Sequence, residues 1–241
     1  MRSEEMGVST LRTKTLLHSI PSYTNTAQEH CLAGRKMMYA MGMKKSILII
    51  VGHPDAESYC SHLARHYALG ARRAGAEVTV VQLSECTFDP ILHRGYKEIQ
   101  TLEEDLVALQ KKITETDKLV FVYPTWWGGP PALLKGFIER VFLPGFGFRF
   151  HKNSFRWDRL LKGRSARIIT TMDAPKMVYA YIFGAPGDKM MKRVLLIFCG
   201  FRPVQVTHVD KVSSRGDTWR KAKISEMEKL GALDARHTPF L

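Results

Sequence analysis

The sequence has few cysteines and no long apolar run. Its 241 residues include four cysteines, widely spaced and without a CxxC pair. This usage argues against a disulfide-stapled secreted scaffold and favours a reducing compartment, so we expect a soluble, cytoplasmic protein. The longest apolar stretches, residues 177–185 and 194–201, fall well short of the roughly 20 residues that a membrane span needs. With 45% hydrophobic residues, the chain is long enough to bury the core of one domain.

Several catalytic and binding motifs are also missing. The chain has neither a GxGxxG dinucleotide fingerprint nor a GxxxxGK[ST] phosphate loop, which argues against a Rossmann dinucleotide site and an NTPase. It has no GxSxG nucleophile elbow and no HExxH pair, and its cysteines never cluster, so we expect no metal site. Zinc-finger, basic-zipper and RNP signatures are absent, so we expect no nucleic-acid partner. These absences point to chemistry supplied by a bound organic cofactor.

Positive charge is in excess and unevenly placed. The formal net charge is +13, and the segment from Glu139 to the C-terminus holds 20 Lys and Arg against 9 Asp and Glu. Such a field favours anionic ligands and surfaces, namely phosphorylated cofactors, nucleic acid or anionic lipid, although net charge alone does not support binding to DNA. A solvated basic face that serves solubility explains the same excess, and both readings stay open.

The first 42 residues differ from the rest in composition and in hydrophobic periodicity. They are rich in Ser and Thr, show no sustained period and carry no secretory apolar core. Met43-Lys44-Lys45 then leads directly into a buried-strand pattern, as a natural start would. We therefore predict a disordered extension over residues 1–42, with an over-called start as one explanation, and a single folded domain over residues 43–241.

From Ser46 onward, apolar strand patterns alternate with helical patterns. The strands are predicted at residues 46–51, 77–83, 118–123, 166–171 and 204–209. The helices are predicted at residues 58–74, 99–116, 132–142, 186–199 and 217–231, with a long connection at 144–164. This alternation predicts an α/β fold in which a doubly wound five-stranded parallel sheet has helices on both faces.

The most distinctive stretch follows the third predicted strand. Residues 123–131 read Tyr-Pro-Thr-Trp-Trp-Gly-Gly-Pro-Pro and enter a helix. Neighbouring residues of an extended segment face opposite ways, so at least one of Trp126 and Trp127 is predicted at a surface or cleft. There an indole offers a flat face to a planar ligand, since ligands bind at the carboxyl ends of such strands. The alternative is that both tryptophans only cap the sheet.

Two further loops carry polar candidates. After the first strand, His53 and Ser58 stand near a helix start, where free backbone N–H groups suit a phosphate. The alternative is that Ser58, a plausible N-cap, only caps the helix and that His53 is a polar loop residue. After the fourth strand, Thr170, Thr171 and Asp173 could address the polar edge of a ring, with Tyr179 beyond them.

Together these segments resemble the flavodoxin-like NAD(P)H:quinone oxidoreductase family. The resemblance covers residues 44–236 and is most specific in the segment that runs from Tyr123 to Phe137. It implies a sheet of order 2-1-3-4-5, a homodimer, and bound FMN or FAD. It also implies reduction of quinones, and often of nitro or azo compounds, by NADH or NADPH as co-substrate. For this reaction we expect a ping-pong mechanism, in which the nicotinamide leaves before the acceptor binds.

The resemblance also assigns roles by position. His53, Ser58 and Tyr59 would hold the flavin phosphate. Residues at the other two loops would meet the ring: Pro124, Thr125, Trp126, Trp127, Gly128 and Gly129 on one side, and Thr170, Thr171 and Asp173 on the other. Residues 174–179 depart from the family pattern after the fourth strand, and Tyr179 is our choice of substrate-side tyrosine. Asp173 and Tyr179 are thus the catalytic candidates.

Two other roles use the same fold. One is an electron-carrier flavodoxin, although such carriers are usually small and acidic. The other is a regulatory subunit that docks on a membrane transporter, for which the basic C-terminal half would suit a partner or an anionic membrane surface.

Overall fold

The computed structural model describes residues 44–236, so the extension predicted at residues 1–42 lies outside the described residues. Five parallel strands form the main sheet, and a short antiparallel hairpin lies apart from it. The strands are β1 Ser46–Val51, β2 Glu77–Gln82, β3 Lys118–Pro124, β4 Phe148–Phe150, β5 Trp157–Arg159, β6 Ser165–Thr171 and β7 Val204–Val209.

The order of the main sheet is β2-β1-β3-β6-β7. The prediction numbered these five strands without the hairpin β4–β5, which is why its labels differ. The hairpin lies inside the long connection at residues 144–164 and was not predicted, because strands of three residues show too little alternation to be recognised.

Helices fill the connections between the strands. The α-helices are α1 Tyr59–Arg73, α2 Glu104–Glu115, α3 Ala132–Val141, the single turn α4 Pro186–Asp188 and α5 Asp217–Arg236. A 3₁₀ turn covers Leu83–Glu85, and π-helices cover Val178–Ile182 and Lys189–Ile197. The helix predicted at residues 186–199 is therefore mostly π-helical, and α5 runs five residues further than predicted.

Helix α2 begins five residues later than predicted, and Arg140 provides the reason. This side chain is fully buried, and its guanidinium donates to both carboxylate oxygens of Glu103, at 3.1 and 2.9 Å. It also donates to the backbone carbonyl oxygens of Asp89 and Thr101. The Thr101 carbonyl oxygen and the Glu103 carboxylate are thus both bound to Arg140, and residues 99–103 form a loop held against α3.

The core consists of two apolar layers, one on each face of the sheet. Alternate residues of β1 enter different layers, because side chains of a strand point to opposite faces. Ile49 packs with α1 and α5, whereas Ile50 packs with α2, α3 and the second π-helix. Both faces of the strand are thus covered, as the continuous apolar run predicted. Among the described residues, no helix is both long and apolar enough to cross a membrane.

A buried charge cluster closes the amino end of the sheet. Asp234 of α5 accepts hydrogen bonds from Arg167 and from the Tyr67 hydroxyl, the latter at 2.6 Å, and lies 3.0 Å from the Lys118 ammonium. Burial raises the pKa of Asp234, but the hydrogen bonds from Arg167 and the nearby charges outweigh it and lower that pKa to about 2. Burial lowers the pKa of Lys45, whose ammonium donates to the Asp234 carbonyl oxygen, to about 8.

Asp234→Asn should destabilise the protein by about 3–5 kcal/mol, because it leaves buried cations without a counter-charge. Urea unfolding measures this loss. Glu98→Gln, which removes an exposed pair with Arg94, is the control and should change stability little.

The same carboxylate should make stability depend on acid. Its pKa of about 2 lies below the ordinary value of 3.8, so its contribution is complete above about pH 5 and is lost as the pH falls through 2. We expect about 2–3 kcal/mol of acid-linked loss in the native protein, and its absence in Asp234→Asn. Identical pH profiles of the two proteins would contradict this account.

Candidate functional site

Three loops meet at the carboxyl edge of the sheet. They follow β1, β3 and β6, the three central strands, as residues 52–58, 125–131 and 172–177. The strand order reverses between β1 and β3, and ligands of doubly wound proteins bind at such a switch point. We call these segments the carboxyl-edge loops.

Direct contacts join the carboxyl-edge loops. The rings of His53 and Trp126 meet edge to face, with their centroids 5.5 Å apart. The Thr125 N–H donates to the Thr171 carbonyl oxygen at 2.7 Å, and the Thr171 hydroxyl lies 3.3 Å from the Cys60 sulfur of α1. The fold therefore brings together the three sets of residues that the sequence selected.

In the first loop, His53 and Ser58 hold defined hydrogen-bonding states. The Asp55 N–H donates to Nδ1 of His53 at 2.9 Å, so the ring proton is on Nε2 and is available as a donor. Ser58 is the N-cap of α1, as predicted, and accepts from the Ser61 N–H at 3.3 Å. Its role toward a phosphate stays a prediction, since the hydroxyl already caps its own helix.

Tyr59 has its hydroxyl turned away from this edge. The hydroxyl donates to the Arg220 carbonyl oxygen of α5 at 3.1 Å, and burial raises its pKa to about 12. The phosphate role assigned to Tyr59 would therefore fall to its backbone N–H in the first turn of α1, where anions are favoured.

The second loop makes a tight turn at residues 126–129, which we call the tryptophan turn. Trp126 and Gly129 exchange two backbone hydrogen bonds of 2.9 Å, and both central residues have positive φ, 50° at Trp127 and 77° at Gly128. These angles are those of a type I′ turn, which suits glycine but strains tryptophan. Trp127 is fully exposed and Trp126 is 47% exposed, so the prediction that at least one indole lies at the surface is confirmed.

The polar side chains at the end of β6, just before the third loop, are buried. The Thr170 side chain is buried, and its hydroxyl has no hydrogen-bond partner among residues 44–236. Thr171 is also buried, against Cys60. Asp173 is exposed and accepts from the Ser213 N–H at 2.8 Å, which ties this loop to the segment after β7. The contacts predicted for Thr170, Thr171 and Asp173 with a ring edge stay predictions.

Tyr179 is buried against the backbone of the tryptophan turn and does not face solvent. It is 3% exposed, its hydroxyl accepts from the Asp188 N–H at 3.2 Å, and it faces the Gly128 carbonyl oxygen at 3.4 Å. Burial raises its pKa, and the charge of Asp188 adds to this rise. The catalytic role of Tyr179 stays a prediction, and these contacts favour support of the turn.

Sequence reasoning missed the residues that support this turn from below. A Cβ on Gly187 would lie 2.5 Å from the Gly128 carbonyl oxygen, so only glycine fits there. Nε2 of His208, on β7, lies 2.8 Å from the Asp188 carboxylate. The sequence offered one signal for this segment, Pro186-Gly187 at a helix start, and none for His208, whose neighbours come from distant parts of the chain.

An apolar surface beside the site was also missed. Residues 177–185 were interpreted as a core-sized run, yet several of their large side chains face solvent. The exposed ones are Met177, Tyr181, Ile182 and Phe183. A contiguous exposed run of this kind is typical of an interaction or ligand surface.

The sheet order and the helices on both faces define a flavodoxin-like α/β protein, and its carboxyl-edge loops lie at the switch point between β1 and β3, where such folds generally bind ligands. A family model described as flavodoxin-like fold matches residues 45–230. The chain is 30% identical over 194 residues to NAD(P)H dehydrogenase [quinone] 1 of Cavia porcellus, an alignment that covers 68% of each chain. The chain therefore belongs to the flavodoxin-like NAD(P)H:quinone oxidoreductase family, which confirms the resemblance drawn from the sequence.

A further relative agrees with this family, and two solved structures agree with the fold. Ribosyldihydronicotinamide dehydrogenase [quinone] of Homo sapiens is 27% identical over 198 residues, covering 70% of this chain and 84% of the relative. The structure of an NAD(P)H:quinone oxidoreductase from Methanothermobacter marburgensis superposes with a TM-score of 0.66 at 20% identity, covering 79% and 98% of the two chains. An FMN-dependent NADH-azoreductase from Bacillus anthracis, solved with FMN, gives 0.65 at 16% identity, covering 80% and 100%. The two structures show the fold.

Gly187→Ala should displace the tryptophan turn, because the added methyl group meets the Gly128 carbonyl oxygen. We expect a loss of about 1–3 kcal/mol in urea unfolding. Gly129→Ala is the matched control, since a Cβ there meets nothing within 4 Å. Equal stability of the two variants would show that Gly187 does not support the turn.

Proposed function

We propose that this oxidoreductase transfers hydride from NAD(P)H, by way of a bound flavin, to a quinone or a similar acceptor in a ping-pong reaction. Membership of the quinone oxidoreductase family supports the reaction class. The observation that carries the proposal is the tryptophan turn, fully exposed at Trp127 and set beside the N-terminus of α1 at the switch point. This arrangement offers an aromatic surface and an anion site together.

The residues present fit a flavin. Its phosphate would lie at the start of α1, near the Nε2–H of His53 and the backbone N–H groups that begin at Tyr59. Its ring would lie against the turn from Trp126 to Gly129, with residues 170–173 along the opposite edge. FMN is the first candidate, because a fold neighbour was solved with it, and FAD is the alternative.

When bound, a flavin supplies the two-electron redox chemistry, so the work of this chain is positioning and electrostatics. The backbone hydrogen bond from Thr125 to Thr171 holds the second loop against the end of β6, beside which the ring would lie. The exposed indole of Trp127 would exclude water from one side of the bound ring. Backbone N–H groups at this edge, together with the excess of positive charge, would stabilise negative charge on the reduced ring.

We further propose that the protein works as a homodimer. The exposed apolar residues from Met177 to Phe183 lie next to the site, and burying them against a second copy would remove their contact with water. The hairpin residues Phe150 and Phe155 add exposed aromatic surface. Only the excess of positive charge supports the alternative role as a regulatory subunit of a membrane transporter. The next experiment distinguishes the enzyme from an electron-carrier flavodoxin.

Purified protein supplied with FMN should oxidise NAD(P)H steadily only when a quinone is present. Because one site serves both substrates in turn, double-reciprocal plots at several quinone concentrations should be parallel. Omission of the flavin is the control. No turnover with NADH or NADPH, in protein that retains flavin, would favour the carrier; intersecting lines would contradict the ping-pong order.

Trp127→Ala should weaken FMN binding about tenfold, because it removes the aromatic face that contacts the ring. Quenching of flavin fluorescence measures the dissociation constant. Trp127→Phe keeps a flat ring at the same φ and should bind FMN nearly as tightly as the native protein. Unchanged binding by a folded Trp127→Ala would place the ring elsewhere.

A further inference from the structure

A buried polar cluster lies beneath the tryptophan turn. It is centred on Tyr179, Asp188 and His208, which come from the first π-helix, α4 and β7. Nε2 of His208 lies 2.8 Å from the Asp188 carboxylate, and the rings of Tyr179 and His208 meet edge to face at 6.0 Å. The side chains of His208 and Asp188 are only 10% and 17% exposed. We call these three residues the under-turn cluster.

The under-turn cluster is connected to the turn by hydrogen bonds. His208 holds the Asp188 side chain, and the Asp188 backbone N–H donates to the Tyr179 hydroxyl at 3.2 Å. That hydroxyl in turn faces the carbonyl oxygen of Gly128, at 3.4 Å, in the middle of the turn. A strand at the edge of the sheet is thereby linked to the loop that would line the flavin.

Burying the under-turn cluster costs free energy, which favours a specific structural role for it. One oxygen of the Asp188 carboxylate is buried without a hydrogen-bond partner among residues 44–236, as is the Tyr123 hydroxyl nearby. Burial raises the pKa of Tyr123, and the charge of Asp188 adds to this rise. Burying polar groups without full pairing costs free energy that apolar side chains would avoid.

The turn needs such support because its backbone is strained. Trp127 has a φ of 50°, and Ala185, whose N–H donates to the Tyr179 carbonyl oxygen, has a φ of 48°, both in the region that suits glycine. Conformations of this kind persist only where the surroundings fix them. Gly187 fixes the turn by close packing, and the Tyr179 hydroxyl fixes it by its contact with Gly128.

We propose that His208 is a positioning residue for the flavin-lining turn, acting through Asp188 and Tyr179. The inference rests on the proposed function, since FMN is the ligand that reports it. His208 does not need to touch the flavin. It fixes Asp188, whose N–H orients the Tyr179 hydroxyl toward Gly128, and so helps to hold Trp127 in its strained, exposed position.

A double-mutant cycle on FMN affinity tests this linkage. His208→Leu and Tyr179→Phe should each weaken FMN binding about fivefold, as expected for loss of one hydrogen bond. Because both act through one path, the double variant should also lose about fivefold, far from the roughly 25-fold of independent effects. The dissociation constant is measured by quenching of FMN fluorescence, with thermal unfolding of each apo variant recorded beside it.

Two further variants make the test specific. His208→Gln keeps an N–H that can donate to Asp188 and should bind FMN as the native protein does. His151→Leu removes a His–Asp pair of similar length, 3.0 Å to Asp158, on the hairpin, and should leave FMN affinity unchanged. If His208→Leu fails to fold, Asp188→Asn takes its place in the cycle.

The outcomes separate the inference from the proposed function. A double variant that loses the product of the two single effects, or a His208→Leu variant that binds FMN normally, overturns the positioning role alone. Native protein that binds neither FMN nor FAD overturns the proposed function and this inference together. Loss in His208→Leu that is rescued in His208→Gln and non-additive with Tyr179→Phe supports the positioning role.

Discussion

The pairing of β3 with β6 is the constraint on which the rest of the site depends. Their register sets Tyr123 beside Thr170 and Pro124 beside Thr171, and the Thr125 N–H continues the ladder one step beyond the strand by donating to the Thr171 carbonyl oxygen. The register therefore fixes where the chain leaves the sheet after β3 and in which direction it continues. The tryptophan turn follows within two residues, so its position is inherited from the sheet.

A fixed exit does not by itself determine the shape of the turn. A tryptophan with positive φ is unfavourable, and the fold compensates by close packing from Gly187 and by the contact of the Tyr179 hydroxyl with the Gly128 carbonyl. The same compensation keeps Trp127 exposed, where a planar ligand can reach it. Strain at a ligand site that is supported by a rigid surrounding is a common arrangement in proteins.

The sequence predicted the parts of the molecule that depend on local pattern. β1 and β7 were predicted to the residue, because their apolar or alternating runs are bounded clearly. Ser58 was predicted as the N-cap of α1, and the exposed indole followed from the two adjacent tryptophans. The hairpin β4–β5 and the late start of α2 were missed, since the former is too short for a pattern and the latter depends on Arg140, 37 residues from Glu103. His208 and Asp188 were missed for the same reason, because their role depends on a contact between them that forms only in the folded chain.

The central claim is that the tryptophan turn holds a flavin that carries hydride. The most direct test is the visible absorption of the flavin-loaded protein under anaerobic conditions. We predict that the bands of oxidised flavin disappear when one equivalent of NAD(P)H is added and return when a quinone is added. Bands that persist after NADH and NADPH, or a protein that takes up neither FMN nor FAD, would contradict the account.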